Sequence, residues 1–201
     1  MVVSLATAVG AALATRGPLL AALHAEQTDC YRLFHGATEG MPGLTLDRYN
    51  ELLVLNTFRE PPPGLLEELV GVHAAVSEAL PGVNLAPIYW CDRRRGAPPG
   101  GGPAPALPRV HYASELGLRY LIDVPGQGRD PGLFLDFRAA RRWIRDNSAG
   151  RDVLNTFVSR CNPSPRAATS PEHVLRPLTQ LACPTVLHVR RGRGCGRWRS
   201  S

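Results

Sequence analysis

The chain has 201 residues and a formal net charge of +6, and its 23 cationic side chains are all arginine. That length allows one ordinary domain and a fragment of a second. The five cysteines show no CxxC spacing and no paired His ligands, which argues against a zinc site and for buried thiols in a reducing compartment.

The N-terminal stretch to Leu23 is Ala-rich with Arg16 as its one charge. It lacks the basic start of a secretory signal, and a transit peptide there would be Arg-poor. Residues 1–29 are therefore expected to be a helical lead-in, running from Ala11 to Ala25 and interrupted near Gly17-Pro18. No run is expected to reach the roughly 20 apolar residues of a membrane span. The expectation is a cytoplasmic protein without a membrane partner, with a plastid or mitochondrion as the alternative.

From Tyr31 the pattern alternates. YRLFHG, LTLDRY and ELLVLNTF read as three strands separated by the turn formers Gly40, Pro42 and Gly43 and then by Tyr49-Asn50. Leu65, Leu69, Val72, Val76 and Leu80 recur at helical spacing, and Pro81-Gly82 closes that helix. A strand is predicted over Asn84–Cys91. The run GAPPGGGPAPALP is too rich in Pro and Gly for regular structure. His111–Glu115 and Leu118–Val124 predict a hairpin through Leu116-Gly117.

Pro131–Phe157 is the most informative stretch. An apolar patch leads to Asp136 and Arg138, a basic helix spans Ala139–Asn147, and a short strand follows over Asp152–Phe157. This order is the entry to a cofactor-binding α/β unit, whose first strand should end in a Gly-rich turn. No glycine occurs between Gly150 and Gly192. Charge changes at the same place: residues 1–157 hold 15 Arg against 16 acids, whereas 158–201 hold 8 Arg against Glu172. Residues 158–201 are thus expected to be a disordered Arg/Pro-rich tail, its composition fitting translation in another frame better than an evolved basic extension.

The stretch DCYRLFHGATEGMPGLTLDRYNELLVLNTF resembles the central domain of the class I SAM-dependent methyltransferases that modify cytosine C5 in large-subunit ribosomal RNA. The matching positions are Tyr31, Arg32, Leu33, Gly36, Glu39, Gly40, Pro42, Gly43, Leu44, Asp47, Arg48 and Tyr49. Glu115, Gly117 and Leu118 resemble the family's Glu-x-Gly hairpin. GLFLDFRAAR and VLNTF resemble its Gly-x-Phe-Leu-Asp-x-Arg element and first Rossmann strand. The resemblance covers about residues 5–157 and has no counterpart beyond Phe157.

It implies an α/β fold: a mixed-sheet central α+β domain over 30–125, then the start of a Rossmann-like domain over 126–157. It further implies S-adenosyl-L-methionine as cofactor, near Phe134, Leu135, Asp136, Arg138 and Asn155, and ribosomal RNA as partner. Asp136 doubles as a helix N-cap candidate, and Phe134 and Leu135 are equally core candidates. Arg141 and Arg142 are weighed as phosphate contacts against a solvated helix face. Arg93, Arg94 and Arg95 beside Tyr89 and Trp90 are candidates for RNA, with arginine on phosphate and aromatics stacked on bases, or else a solvated loop start. In the family a cysteine thiolate adds to C6 of the base and a later Asp-Pro-Pro-type loop lies near it; neither can be located here. The implied activity is RNA methylation with the catalytic half missing, and the rival reading is a non-catalytic RNA-binding module.

Overall fold

The computed structural model describes residues 3–94, 110–123, 131–149, 151–155 and 187–191; for the last two segments, and for Val110 and Asp123, only the backbone is described. The chain divides into two compact units, Met1–Pro131 and Gly132–Ser201.

The first unit is built on a four-stranded mixed sheet. β1 (Cys30–His35), β2 (Leu44–Tyr49) and β3 (Leu52–Thr57) form an antiparallel meander, and β4 (Tyr89–Asp92) adds parallel to β3. A parallel neighbour requires a crossover, which α2 (Leu65–Ala79) provides. Alternation along the strands directs Leu44, Leu46, Leu53 and Leu55 to one face. There they join Leu5, Val9 and Leu13 of α1 (Leu5–Ala25) and Val72 and Val76 of α2 in one buried cluster. Each fully buried Leu contributes roughly 1.5–3 kcal/mol. The opposite face carries Cys30, Tyr49, Leu52 and Val54, which are buried as well.

The turns explain the register. Asn50 adopts φ 57° between β2 and β3, a conformation that Asn tolerates better than most residues. Gly36, at the end of β1, leaves no room for a side chain: a Cβ there would lie 1.8 Å from the Met41 carbonyl oxygen. The hairpin of β5 (Val110–Glu115) and β6 (Leu118–Asp123) closes through Leu116 and Gly117, both at positive φ as a two-residue loop demands. Asp29 donates its amide N–H to the Ser114 carbonyl and accepts the Ser114 N–H through Oδ1, which ties the hairpin to the start of β1.

Three expectations are corrected here. The first helix is not interrupted at Pro18 but runs unbroken from Leu5, with Ser4 Oγ accepting the Thr7 N–H as cap. Gly17, Pro18 and Leu19 are exposed, so the carbonyl that Pro18 cannot serve faces water, while Leu13 and Leu20 hold the helix on either side. This 21-residue helix is also long and apolar enough to cross a membrane by composition alone. Its buried stripe, Leu5, Val9, Ala12, Leu13, Leu20 and Leu23, joins the sheet core, and the helix lies against α2. Finally, Asn84–Ile88 is not strand: only Tyr89–Asp92 pairs with β3, and Pro87, which has no N–H, sits just ahead of it.

In the second unit a 3-10 turn (Leu135–Phe137) leads directly into α3 (Arg138–Asn147), and β7 (Arg151–Asn155) follows. β7 pairs antiparallel with β8 (Leu187–Arg191), matching Asn155 to Leu187 and Arg151 to Arg191. A strand within 158–201 was not expected from its composition; the alternation Leu187, Val189 supplies one. The remaining residues of that segment lie outside those described.

Candidate functional site

Gly132, at φ 87°, turns the chain so that Leu133 is buried and Phe134 enters an extended conformation. The 3-10 turn closes when Phe137 donates its N–H to the Phe134 carbonyl at 3.3 Å. Phe134 and Leu135 are half-buried, and Arg138 begins α3 half-buried. Arg141 folds back, donating Nη2–H to the same Phe134 carbonyl at 2.8 Å, and is itself buried. This guanidinium therefore holds the backbone of the turn rather than facing a phosphate. Arg142 is half-buried.

Asp136 does not cap the helix. It lies inside the 3-10 turn, exposed, and the residue before α3 is Phe137, which makes no side-chain cap. The extra turn ahead of α3 displaces the helix start past Asp136, leaving the carboxylate available to solvent. Asn155 ends β7, and the structure places its backbone opposite Leu187. Phe134, Leu135, Asp136 and Arg138 thus share one turn of chain, with Asn155 on the strand after the helix.

A second set of candidates lies in the sheet unit. Arg93 donates its backbone N–H to the Thr57 carbonyl at 2.8 Å and its Nε–H to Asn56 Oδ1 at 3.0 Å. Arg94 is bound to Asp92, through Nε and Nη2, and to Glu60. That guanidinium holds the Asp92 carboxyl below the usual carboxylate range. Tyr89 is buried and Trp90 donates Nε1–H to Thr57 Oγ1, so neither ring stands out as a stacking platform. Arg95 lies outside the described residues.

Beneath Arg93 is a polar row that sequence reasoning did not single out. Asp47, buried on β2, accepts Nε–H and Nη2–H of Arg32 at 2.7 and 3.1 Å. Asn56 reaches Thr45 Oγ1 at 3.3 Å and Asp47 Oδ2 at 3.5 Å. Burial pushes the Asp47 carboxyl up, and Arg32, Arg93 and His35 pull against it. Arg32 and Asp47 were visible as motif positions, but a charged residue on a strand reads first as solvent-facing.

Elsewhere in this unit, a largely apolar cleft of about 1110 Å³ lies between α1 and the β1–β2 turn, lined by residues including Leu5, Ala12, Met41 and Arg59. None of the cofactor candidates lines it. Cys30 and Cys91 are buried, Cys30 donating Sγ–H to the Ser114 carbonyl at 3.3 Å; Cys161, Cys183 and Cys195 lie outside the described residues.

A family model described as S-adenosylmethionine-dependent methyltransferase matches residues 103–183, spanning the hairpin, the turn, α3 and β7. The chain is 34% identical over 136 residues to a ribosomal RNA large subunit methyltransferase I of Serratia proteamaculans, covering 64% of this chain and 33% of that protein. It is 32% identical over 162 residues to a ribosomal RNA large subunit methyltransferase of Deinococcus radiodurans, covering 76% and 38%. The chain is thus similar to part of these large-subunit rRNA methyltransferases and, over residues 103–183, to SAM-dependent methyltransferases. It spans about a third of the length of these relatives.

Among solved structures, a chain from Streptococcus mutans assigned as a SAM-dependent methyltransferase superposes with a TM-score of 0.55 at 22% identity, over 75% of this chain and 39% of that one. A second, assigned as a methyltransferase and complexed with SAH, gives the same score. The α/β class with a mixed sheet agrees with these neighbours. The family match runs to residue 183, so the similarity does not end at Phe157 as the motif reading had it.

Proposed function

We propose that this chain belongs to an RNA methyltransferase that uses S-adenosyl-L-methionine and acts on cytosine C5 of large-subunit ribosomal RNA. The observation that carries the reading is the segment from Gly132 to Asn155. Its extended Phe134, exposed Asp136 and strand-ending Asn155 lie within the region that matches SAM-dependent methyltransferases. When bound, SAM supplies an electrophilic methyl group on a sulfonium. Phe134 and Leu135 offer apolar surface beside it, Asp136 an acceptor for hydroxyl or amine, and Arg138 a cation at the head of α3. The domain reading follows suit: a lead-in over 1–29, a central domain over 30–125, the start of a methyltransferase domain over 126–157, and an Arg/Pro-rich segment beyond.

We further propose that these 201 residues alone do not turn over. Methylation at C5 by this route needs a thiolate able to reach C6 of the base, and both described cysteines are buried, Cys30 to 0% exposure and Cys91 to 1%. The test is calorimetric titration with SAM, followed by transfer of labelled methyl to ribosomal RNA. Saturable SAM binding that is lost in Asp136→Ala and Asn155→Ala, without methyl transfer, is the expected result. Robust transfer overturns the inactivity. RNA binding with no SAM binding favours a non-catalytic RNA-binding module instead.

A further inference from the structure

The two faces of the β5–β6 hairpin are unlike. Alternation sends His111, Ala113, Tyr120 and Ile122 inward, where all four are buried, and Tyr112, Arg119 and Leu121 outward. The outward face of a surface hairpin is ordinarily polar, yet Tyr112 is 46% exposed and Leu121 54%. The register sets these two directly opposite each other and Ser114 opposite Arg119, so Arg119 lies diagonally across from Tyr112. Its guanidinium carbon is 4.1 Å from the centre of the Tyr112 ring, well inside cation–π range.

A second such pair shows what the same contact does when it is structural. Arg48 lies 5.3 Å from the Tyr31 ring, but both residues are buried, and the guanidinium also donates to the Asn50 carbonyl and the Tyr31 hydroxyl. The hairpin pair is open to solvent instead, and among the described residues Arg119 meets no acid. Asp123 stands on the same strand four residues from Arg119, roughly 13 Å along it. An exposed aromatic ring and the plane of a guanidinium are both surfaces on which unpaired bases stack, and the cation suits the adjoining phosphate.

We propose that the outward face of this hairpin is a stacking platform for an unpaired base of an RNA strand. The base adds to the stack that Tyr112 and Arg119 begin, Leu121 widens the apolar surface beneath it, and Arg119 is the cation for its phosphate. The assignment rests on the RNA reading above and gives that reading a contact separate from the Arg93–Arg95 run.

The experiment is fluorescence-anisotropy titration of the full 201-residue chain with a labelled, unstructured 20-nucleotide RNA over a series of salt concentrations. Other arginines of the chain bind as well, so each variant is read as a change from the unsubstituted chain, with a melting curve to check its fold. Tyr112→Leu keeps apolar surface but removes the π face, and should weaken binding by at least about 5-fold with the salt slope unchanged. Tyr112→Phe keeps the face and should stay within about 2-fold. Arg119→Ala should reduce the slope by about 0.7, one phosphate contact on a single strand. Arg59→Ala, which removes an equal and exposed charge just after β3, should change it by less than half as much. Should Tyr112→Leu lose its cooperative melt, Arg119→Lys takes its place, with the slope kept and affinity reduced; unchanged affinity overturns the platform. RNA binding that Tyr112→Leu leaves unaltered sinks the platform and spares the RNA reading, whereas no RNA binding by the unsubstituted chain overturns both. Inorganic polyphosphate has no bases, so its binding should be indifferent to Tyr112→Leu; an equal loss there refutes stacking. Sedimentation that shows a dimer abolished by Tyr112→Leu assigns the face to a second copy of the chain and refutes the proposal.

Discussion

The sheet unit and the segment from Gly132 to Asn155 use their motif residues in opposite ways. In the sheet unit those residues hold the fold. Glu39 pairs with Arg16 and accepts the His35 N–H, Arg48 donates to the Asn50 carbonyl and to the Tyr31 hydroxyl, and Gly36 lets the backbone pass Met41. In the second segment Asp136 caps nothing and stays exposed, while Arg141 is spent on structure, clamping the Phe134 carbonyl. A sequence motif is thus a mixture of scaffold and chemistry, and burial separates the two.

The comparison breaks most sharply if truncations fail to follow burial. Leu55→Ala, at 0% exposure in the sheet core, should cost about 2–5 kcal/mol. Asp136→Ala should remain within about 0.5 kcal/mol, as surface changes do, although the same change is expected to abolish SAM binding. Urea titrations of the two variants read this difference directly. Gly36→Ala should be costly for a steric reason, about 1–3 kcal/mol, because the new methyl meets backbone rather than a movable side chain. A wild-type midpoint for it would mean that the β1–β2 turn can open.

Pro18→Ala sharpens the contrast from the other side. Pro18 is exposed inside α1, and restoring an N–H there should raise stability by up to about 3 kcal/mol. A loss instead would show that Pro18 itself serves the packing of α1 on α2. The smallest effect is expected at His24. Its Nε2 lies 2.7 Å from the Tyr31 hydroxyl and 3.3 Å from Arg48 Nη1, and burial with the Arg48 charge holds its pKa below 6.5. The unfolded chain therefore binds more protons in the window just below pH 6.5, and stability falls as pH drops through it. Since this imidazole is largely exposed, the shift in melting temperature between pH 7 and 5 should be slight, and His24→Gln should remove it.

Strands and the crossover helix were legible because their side chains alternate or recur in simple periods. YRLFHG, LTLDRY and ELLVLNTF fall on β1, β2 and β3 to within a residue at each end, and the Leu65–Leu80 pattern falls on α2. What escaped the sequence depended on tertiary context. Pro18 reads as a break until the burial of Leu13 and Leu20 on either side is seen. Asp136 reads as a cap until the 3-10 turn shifts the helix start. The polar row escaped because its members lie on four separate stretches of chain, joined only when β2 and β3 set Asp47 beside Asn56.

The amide of Leu5, at the head of α1, donates to Glu68 on α2, so the first helix of the chain is finished by a carboxylate made much later. On the ribosome, α1 is complete at Ala25 but its partner helix only at Ala79, 54 residues on. At about 5–20 residues per second that is an interval of roughly 3–11 s. Throughout it, Val9, Leu13, Leu20 and Leu23 have no α2 to lie against. The order of synthesis therefore leaves the apolar stripe of α1 waiting for the helix that covers it.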